Sequence, residues 1–256
     1  MNFTNIATLA TGICCCFQLM AGDEISFAKP EAWQQPDAIK VSGSSLLISG
    51  KKMLIGKKLI KLPKGGDLKI TGTFRAEEGT ANDTVYIGFR TYDKNRKEIR
   101  HHNIRPIAGT DTVLTADAKA GDTSITVADA SRWTKNSIAV FDTKSDYGDL
   151  PNYNVLPGIS SVEKSGNGWK VTFASALKGD LAKGIGVRTH ADGGYMYYTF
   201  IDTKPGTTNP PRNVEKKIWP GVAYVRFMVL VNWKGGKNSR FEMINPCVTV
   251  IDPAVK

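Results

Sequence analysis

The chain lacks the signatures of the common catalytic machineries. There is no G-x-S-x-G, no H-E-x-x-H and no phosphate-binding G-x-x-x-x-G-K-S/T. Only three histidines occur in 256 residues, His101, His102 and His190, and two of them are adjacent. A sustained 3.6-residue apolar period is also missing, which excludes an α-helical architecture. After the first 22 residues no run approaches the ~20 apolar residues that span a bilayer as a helix. Cysteine is scarce and oddly placed: three of four, Cys14, Cys15 and Cys16, stand side by side, leaving Cys247 alone. Three adjacent cysteines cannot converge on one tetrahedral ion with a distant fourth, so a metal site built from all four is excluded.

Residues 1–22 read as a signal peptide. Ile6 to Gly22 carry no charge and are rich in Ala, Leu, Thr and Cys, the length and character of a secretory apolar region with its cleavage end. The expectation is a secreted or extracytoplasmic protein, in a periplasm or at a cell surface. Its mature form then has no disulfide, and Cys247 is a small buried hydrophobe.

What is abundant is strand and turn. Gly (25) and Pro (12) punctuate short alternating segments. The most informative is Ile218 to Lys234, IWPGVAYVRFMVLVNWK. From Ala223 onward, Ala223, Val225, Phe227, Val229, Val231 and Trp233 share one apolar face, because side chains alternate along a strand. Tyr224, Arg226, Met228, Leu230, Asn232 and Lys234 share the other. That mixed face suits a ligand or a covering layer equally. Thr84 to Tyr92 repeats the arrangement: Val85, Ile87 and Phe89 inward, and Tyr86, Gly88, Arg90 and Tyr92 on the mixed face. Ser45–Ser49 and Lys52–Ile55 are expected to pair across Gly50, and Asp93 to Arg96 is a hairpin turn. Between Thr110 and Asp192 short strands alternate with polar, Tyr/Pro/Asn-rich turns.

These patterns predict an all-β chain. Residues 23–109 and 193–256 would form a discontinuous jelly-roll β-sandwich, and 110–192 a small inserted β-rich subdomain. Formal net charge is +10. Its densest part is Lys51, Lys52, Lys57, Lys58, Lys61 and Lys64, read either as an edge that resists aggregation or as a patch for an acidic polymer. No nucleic-acid motif accompanies the charge, so nucleic acid is not an expected partner.

Four features in order carry a resemblance to a known family. They are Phe-x-Lys-Pro-Glu-Ala-Trp at Phe27 to Trp33, a strand after the Lys-Leu-Pro-Lys-Gly-Gly-Asp turn, Val85 to Asn95, and Trp-Pro-Gly-Val-Ala-Tyr-Val-Arg-Phe closing on Arg240 to Ile244. The chain resembles the jelly-roll carbohydrate-binding modules of the cellulose- and xylan-binding type, within the galactose-binding-like group. The resemblance covers about Ile25 to Asp117 and Asp192 to Asp252.

It implies a non-catalytic protein that binds a polysaccharide, and the positive charge points to an acidic one. Aromatic rings would stack on the sugar and polar groups bind its hydroxyls, at Tyr86, Arg90, Tyr92, Tyr224, Arg226 and Asn232. A loop-end site would use Trp219, or Trp133, Tyr147 and Tyr153 of the insertion. The resemblance also implies a structural Ca2+ between the N-terminal segment and the final strands, with Glu242 and Glu24 (or Asp23) as oxygen donors. Two other classes stay open. One is a structural or adhesive surface protein whose aromatic faces form protein interfaces. The other is a polysaccharide lyase using His101 or His102 with Arg100, Arg105 and a Tyr; neighbours in a strand face opposite ways, so at most one of the two would serve.

Overall fold

The computed structural model describes residues 24–77, 83–203, 218–233 and 239–255; the signal-peptide reading of 1–22, with its three cysteines, lies outside them. Every helical segment among the described residues is a single 3-10 turn, and the rest of the regular structure is strand. In chain order the first strands are β1 Glu24–Ser26, β2 Ile39–Ser42, β3 Ser45–Ser49, β4 Lys52–Ile55, β5 Ile60–Lys61, β6 Asp67–Ala76, β7 Asp83–Tyr92 and β8 Glu98–Ile99. Then come β9 Thr112–Val113, β10 Ser124–Val127, β11 Ile138–Phe141, β12 Val155–Pro157, β13 Ile159–Ser165, β14 Gly168–Phe173 and β15 Gly186–His190. The last three are β16 Met196–Thr203, β17 Tyr224–Val231 and β18 Arg240–Ile251.

Two antiparallel sheets form a sandwich. In the first, β18 is central: β6 lies along one edge, β3 and β1 end to end along the other, with β2 outside β3. In the second, β7 and β17 are central. β16 and β8 share the far edge of β7, and β4 and β5 the far edge of β17. The inner faces share one core, to which the first sheet gives Leu46, Ile70, Phe74, Phe241 and Val248 and the second Val85, Ile87, Phe89, Val225, Phe227, Val229 and Val231. Phe227 is its centre: its ring lies 5.0 Å from Phe27, 5.5 Å from Trp33 and 6.0 Å from Phe89. Trp33 satisfies its buried indole N–H by donating to the carbonyl of Phe27 at 3.0 Å. Phe27 and Trp33 are therefore core residues, while Lys29 and Glu31 between them are exposed.

Two expectations are corrected. β3 and β4 do not pair across Gly50; β3 joins the first sheet and β4 the second, and the chain crosses between layers at Gly50, whose φ is 67°. The last segment, which the alternation splits into strands at Ser239 to Ile244 and Pro246 to Ile251, is one strand interrupted by a bulge between Ile244 and Cys247. Pro246 occupies that bulge, where a missing backbone N–H costs no ladder bond. Gly72 crosses it with φ 124°, and a Cβ there would stand 2.9 Å from Pro246 Cα.

The segment between β8 and β16 has its own core. A three-stranded sheet, β10-β14-β13, packs with a four-stranded sheet, β12-β11-β15-β9, around Val127, Ala139, Ile159, Val171 and Val187. Trp133 lies in this core and donates its indole N–H to Thr110 O at 2.9 Å, so it is not a loop-end platform. The insertion is tied to the sandwich by backbone bonds, Ile107 N–H to Thr189 O at 2.9 Å and Ala191 N–H to Arg105 O at 3.0 Å. Asn103 and Asn152 bridge the two in both directions, at 2.8 and 3.0 Å. The Tyr153 hydroxyl donates to Asp93 Oδ2 at 2.9 Å.

Candidate functional site

Directly opposed residues of an antiparallel pair share a face, so the β7–β17 register fixes what the outer face of the second sheet presents. Tyr224 stands opposite Tyr92, Arg226 opposite Arg90, Met228 opposite Gly88 and Leu230 opposite Tyr86. β4 and β5 extend the rows, with Ile55 opposite Met228, Met53 opposite Leu230 and Lys61 opposite Tyr224. On the other side Glu98 stands opposite Tyr92. The face has two halves. Ile55, Met228 and Leu230 form a small buried cluster with Met53, Tyr86 and Tyr195 packed on it. The second half is polar and aromatic: half-exposed Tyr224, Tyr92, Glu98, Arg226 and Arg90, with exposed Lys61.

Two guanidiniums face each other in this half, and each is held differently. Arg90 makes a two-pronged pair with Glu98, Nε to Oε1 at 3.2 Å and Nη2 to Oε2 at 2.7 Å. Burial works against the Arg90 charge, but the Glu98 bond together with the Glu98, Tyr92 and Tyr195 charges outweighs it, so the Arg90 pKa is raised. Arg226 instead donates Nη1 to the carbonyls of Gly56, at 3.2 Å, and Lys57. It pins the β4–β5 connection and brings no counter-charge. Cations also border the rings: the Arg96 guanidinium lies 5.9 Å from the Tyr224 ring and that of Arg90 5.6 Å from Tyr195. The Asp93–Lys97 hairpin that carries Arg96 is held by Asp93 Oδ1, which accepts from the N–H groups of Asn95 and Lys97 at 2.8 and 2.9 Å.

The half-exposed end runs into a groove. Leu62 N–H donates to Ala223 O at 2.9 Å, and Ala223 N–H to Tyr92 O at 2.8 Å. Just beyond lies a space of about 430 Å³ between the 62–66 and 218–223 loops, with Lys64 and Trp219 among its walls. Trp219 packs partly on the main core, and its ring is 5.7 Å from that of His101.

Not every expected site residue joins this surface. Asn232 is buried and turned away; its side-chain N–H groups donate to Gly50 O at 2.8 Å and Ser239 O at 3.2 Å. Its backbone takes φ 54°, which ends the alternation of β17 and reverses the next residue. Trp233, expected in the core, is therefore 36% exposed, with Lys51 Nζ 3.8 Å from its ring centroid. Glu24 and Glu242 do not meet: Glu24 stands opposite Thr249, seven residues beyond Glu242 on β18, about 20 Å along a strand. Glu242 is paired with Arg75, whose Nε lies 2.6 Å from Oε2. Glu24 accepts from the Cys247 thiol at 3.1 Å, and burial followed by that bond raises the thiol pKa to about 11. Among the described residues no group of three or more His, Cys, Asp or Glu is placed to hold a metal ion.

No family model, curated protein or solved structure matches this chain. Its chemistry is therefore argued from its own residues.

The histidines gather at the seam between sandwich and insertion, but not around an open cleft. His190 is fully buried, and Arg188 Nε donates to its Nε2 at 2.8 Å. That leaves Nδ1 to carry the proton donated to His102 O at 2.7 Å. Arg188, also fully buried, places Nη2 2.6 Å from Asp149 Oδ2. Burial, then the adjacent Arg188 charge, holds the His190 pKa down to about 4. His101 Nε2 accepts from Arg105 at 3.0 Å, so its proton sits on Nδ1, 3.3 Å from Asp192 O. Burial lowers the pKa values of His101 and His102 as well. Both nitrogens of His101 and of His190 are engaged, so neither is poised to take a proton from a substrate.

Proposed function

We propose that the protein binds a polysaccharide without cleaving it, on the half-exposed end of the second sheet, in the manner of the carbohydrate-binding jelly rolls that its sequence resembles. One observation carries this reading: Tyr92 and Tyr224 stand directly opposite each other on adjacent central strands, half-exposed, with Arg90, Arg226 and Lys61 around them. Two neighbouring phenol rings offer an apolar platform with a polar rim, the surface that a sugar ring with axial C–H groups and equatorial hydroxyls can meet. The central strands fix the rings beforehand, so little conformational entropy is lost on binding. Arg226 uses Nη1 for the backbone and keeps further N–H donors for hydroxyls. Tyr86 belongs to the buried half, packed on Met228 and Leu230, and is not part of the platform. Such a role, with the apolar leader, fits a protein that acts outside the cytoplasm.

The test is a glycan array probed with the full chain, with and without calcium. Tyr92→Ala and Tyr224→Ala should each weaken the strongest hits by about tenfold or more, ~1.4 kcal/mol, without lowering the unfolding temperature. Hits that survive in the double variant would place binding elsewhere.

A further inference from the structure

We propose that the lysine edge made by Lys57, Lys61 and Lys64 is the anion-selecting part of the same site, so that its ligand is a linear polyanionic glycan carrying carboxylate or sulfate groups. This rests on the glycan-binding reading of the Tyr92–Tyr224 face and gives it a substrate class.

Charge bookkeeping comes first. Residues 51 to 66 hold six lysines and no acidic residue; without them the formal net charge falls from +10 to +4. Several cations elsewhere have carboxylate partners: Arg75 with Glu242, Arg90 with Glu98, Arg188 with Asp149, Lys119 with Asp180 and Arg240 with Glu77. Lys57, Lys58, Lys61 and Lys64 are exposed and have no ion pair with any described carboxylate. This stretch therefore carries positive charge with no carboxylate of its own and no paired one among the described residues.

Edge protection does not account for Lys57. Unpaired strand edges are often blunted by lysine, but β4 already has a cover on its outer side. Gln34 N–H donates to Ile55 O and Lys57 N–H to Ala32 O, both at 2.8 Å, while Gln35 Oε1 accepts from Ile55 N at 3.1 Å. Beyond that covered end, Lys58, Lys61 and Lys64 add like charge that repels itself unless a counter-charge arrives.

Position decides what that counter-charge belongs to. Lys61 lies in register with Tyr224, in the row that continues to Tyr92. Lys57 is held at the same face by its carbonyl bond to Arg226. Lys64 lines the groove beyond the end of the row. A chain laid on the two tyrosines and continuing into the groove passes these ammonium groups in sequence. Flexible ammonium groups are point charges with no fixed fork, which suits repeated anions on a polymer better than one precisely held phosphate. Attraction of this kind is screened beyond ~8 Å at physiological salt, so binding should be strongly salt-dependent.

The experiment is affinity electrophoresis of the full chain through gels containing polygalacturonate, dextran sulfate or neutral dextran, with duplex DNA as competitor. Lys57→Gln, Lys61→Gln and Lys64→Gln are combined in one variant, with Tyr92→Ala/Tyr224→Ala in parallel. The lysines are exposed, so the triple variant should unfold at the wild-type temperature. It should lose about tenfold or more of its affinity for one of the two polyanions, and the wild type should lose a similar factor between about 0.05 and about 0.5 M NaCl. An unchanged triple variant overturns the lysine edge and leaves the tyrosine platform standing. Tyrosine variants that bind every glycan like wild type overturn the platform and, with it, the edge as its extension. Polyanion binding abolished by DNA at equal charge overturns the assignment to a glycan.

Discussion

Asn232 donates its carboxamide to two backbone carbonyls while its own backbone sits in the left-handed region. It ties together the ends of β3, β17 and β18. Asn232→Ala strips both bonds and leaves a non-glycine residue at positive φ, which should cost about 2 kcal/mol. Asn232→Gly restores the backbone freedom but not the bonds, so it should recover part of that loss. Thermal unfolding of the two variants checks the order; equal stability to wild type would contradict it. The sequence puts Asn232 on the mixed face because strand periodicity runs on until something breaks it, and a left-handed Asn leaves no mark in an alternation pattern. The Asn-Trp-Lys-Gly-Gly run after β17 is the available signal, since Asn is one of the few side chains that adopts that conformation readily. Glu242 shows the opposite limit: a carboxylate inside an apolar strand reads as a ligand until its partner, Arg75, appears from a strand far away in sequence.

β15 is the element whose chemistry depends most on pH. Its Arg188 and His190 point into the seam with the sandwich, facing Asp149, Asp111 and the carbonyls of Lys144 and His102. His190 accepts from Arg188 only while its Nε2 is unprotonated. In the unfolded chain it takes a proton near pH 6.5, and in the folded chain near pH 4. As pH falls through that window the unfolded state gains a proton that the folded state refuses, so stability falls by up to about 3 kcal/mol. Above pH 6.5 the group contributes no slope. His190→Gln keeps an acceptor for Arg188 and a donor for His102 without titrating. Its urea midpoint should fall less than that of wild type between about pH 7 and about pH 4.5; parallel curves would contradict the assignment. Arg188→Met, which leaves Asp149 buried without its cation, should cost about 3–5 kcal/mol at neutral pH. The strands themselves are legible one by one: β6, β7 and β17 fall where alternation and turn residues place them. The pairing is less so, because period two says which residues share a face but not which sheet a strand enters. Hence β3 and β4, separated by a short turn, read as a hairpin in the sequence although they lie in different layers.

At the scale of the whole molecule, two β-cores are joined at a seam where Arg188, His190, Asn103 and Asn152 are hydrogen-bonded, and a run of lysines with no ion pair among the described residues lies on one edge of the sandwich. The insertion contributes Tyr153 to this side: its hydroxyl is bound by Asp93, and Lys97 Nζ lies 3.8 Å from its ring. Burial, then the Asp93 carboxylate, keeps that phenol protonated at any ordinary pH. The hairpin that carries Arg96 beside Tyr224 is thus braced from both units. Sequence pattern anticipates the sandwich and the interruption by a β-rich segment. The half-buried state of the outer face is not legible, because the same residues, Tyr, Arg, Met and Leu, serve a covered strand and an open one. Only the register separates the apolar half, Met228 and Leu230, from the open half, Tyr224 and Arg226. The central claim is that the open half binds a glycan, and the most direct measurement is calorimetric titration of the best glycan-array ligand into wild type and Tyr92→Ala/Tyr224→Ala. The account predicts saturable binding by the wild type and a loss of about a hundredfold or more in the double variant, with unfolding temperatures unchanged. Equal affinity in the two proteins would contradict it.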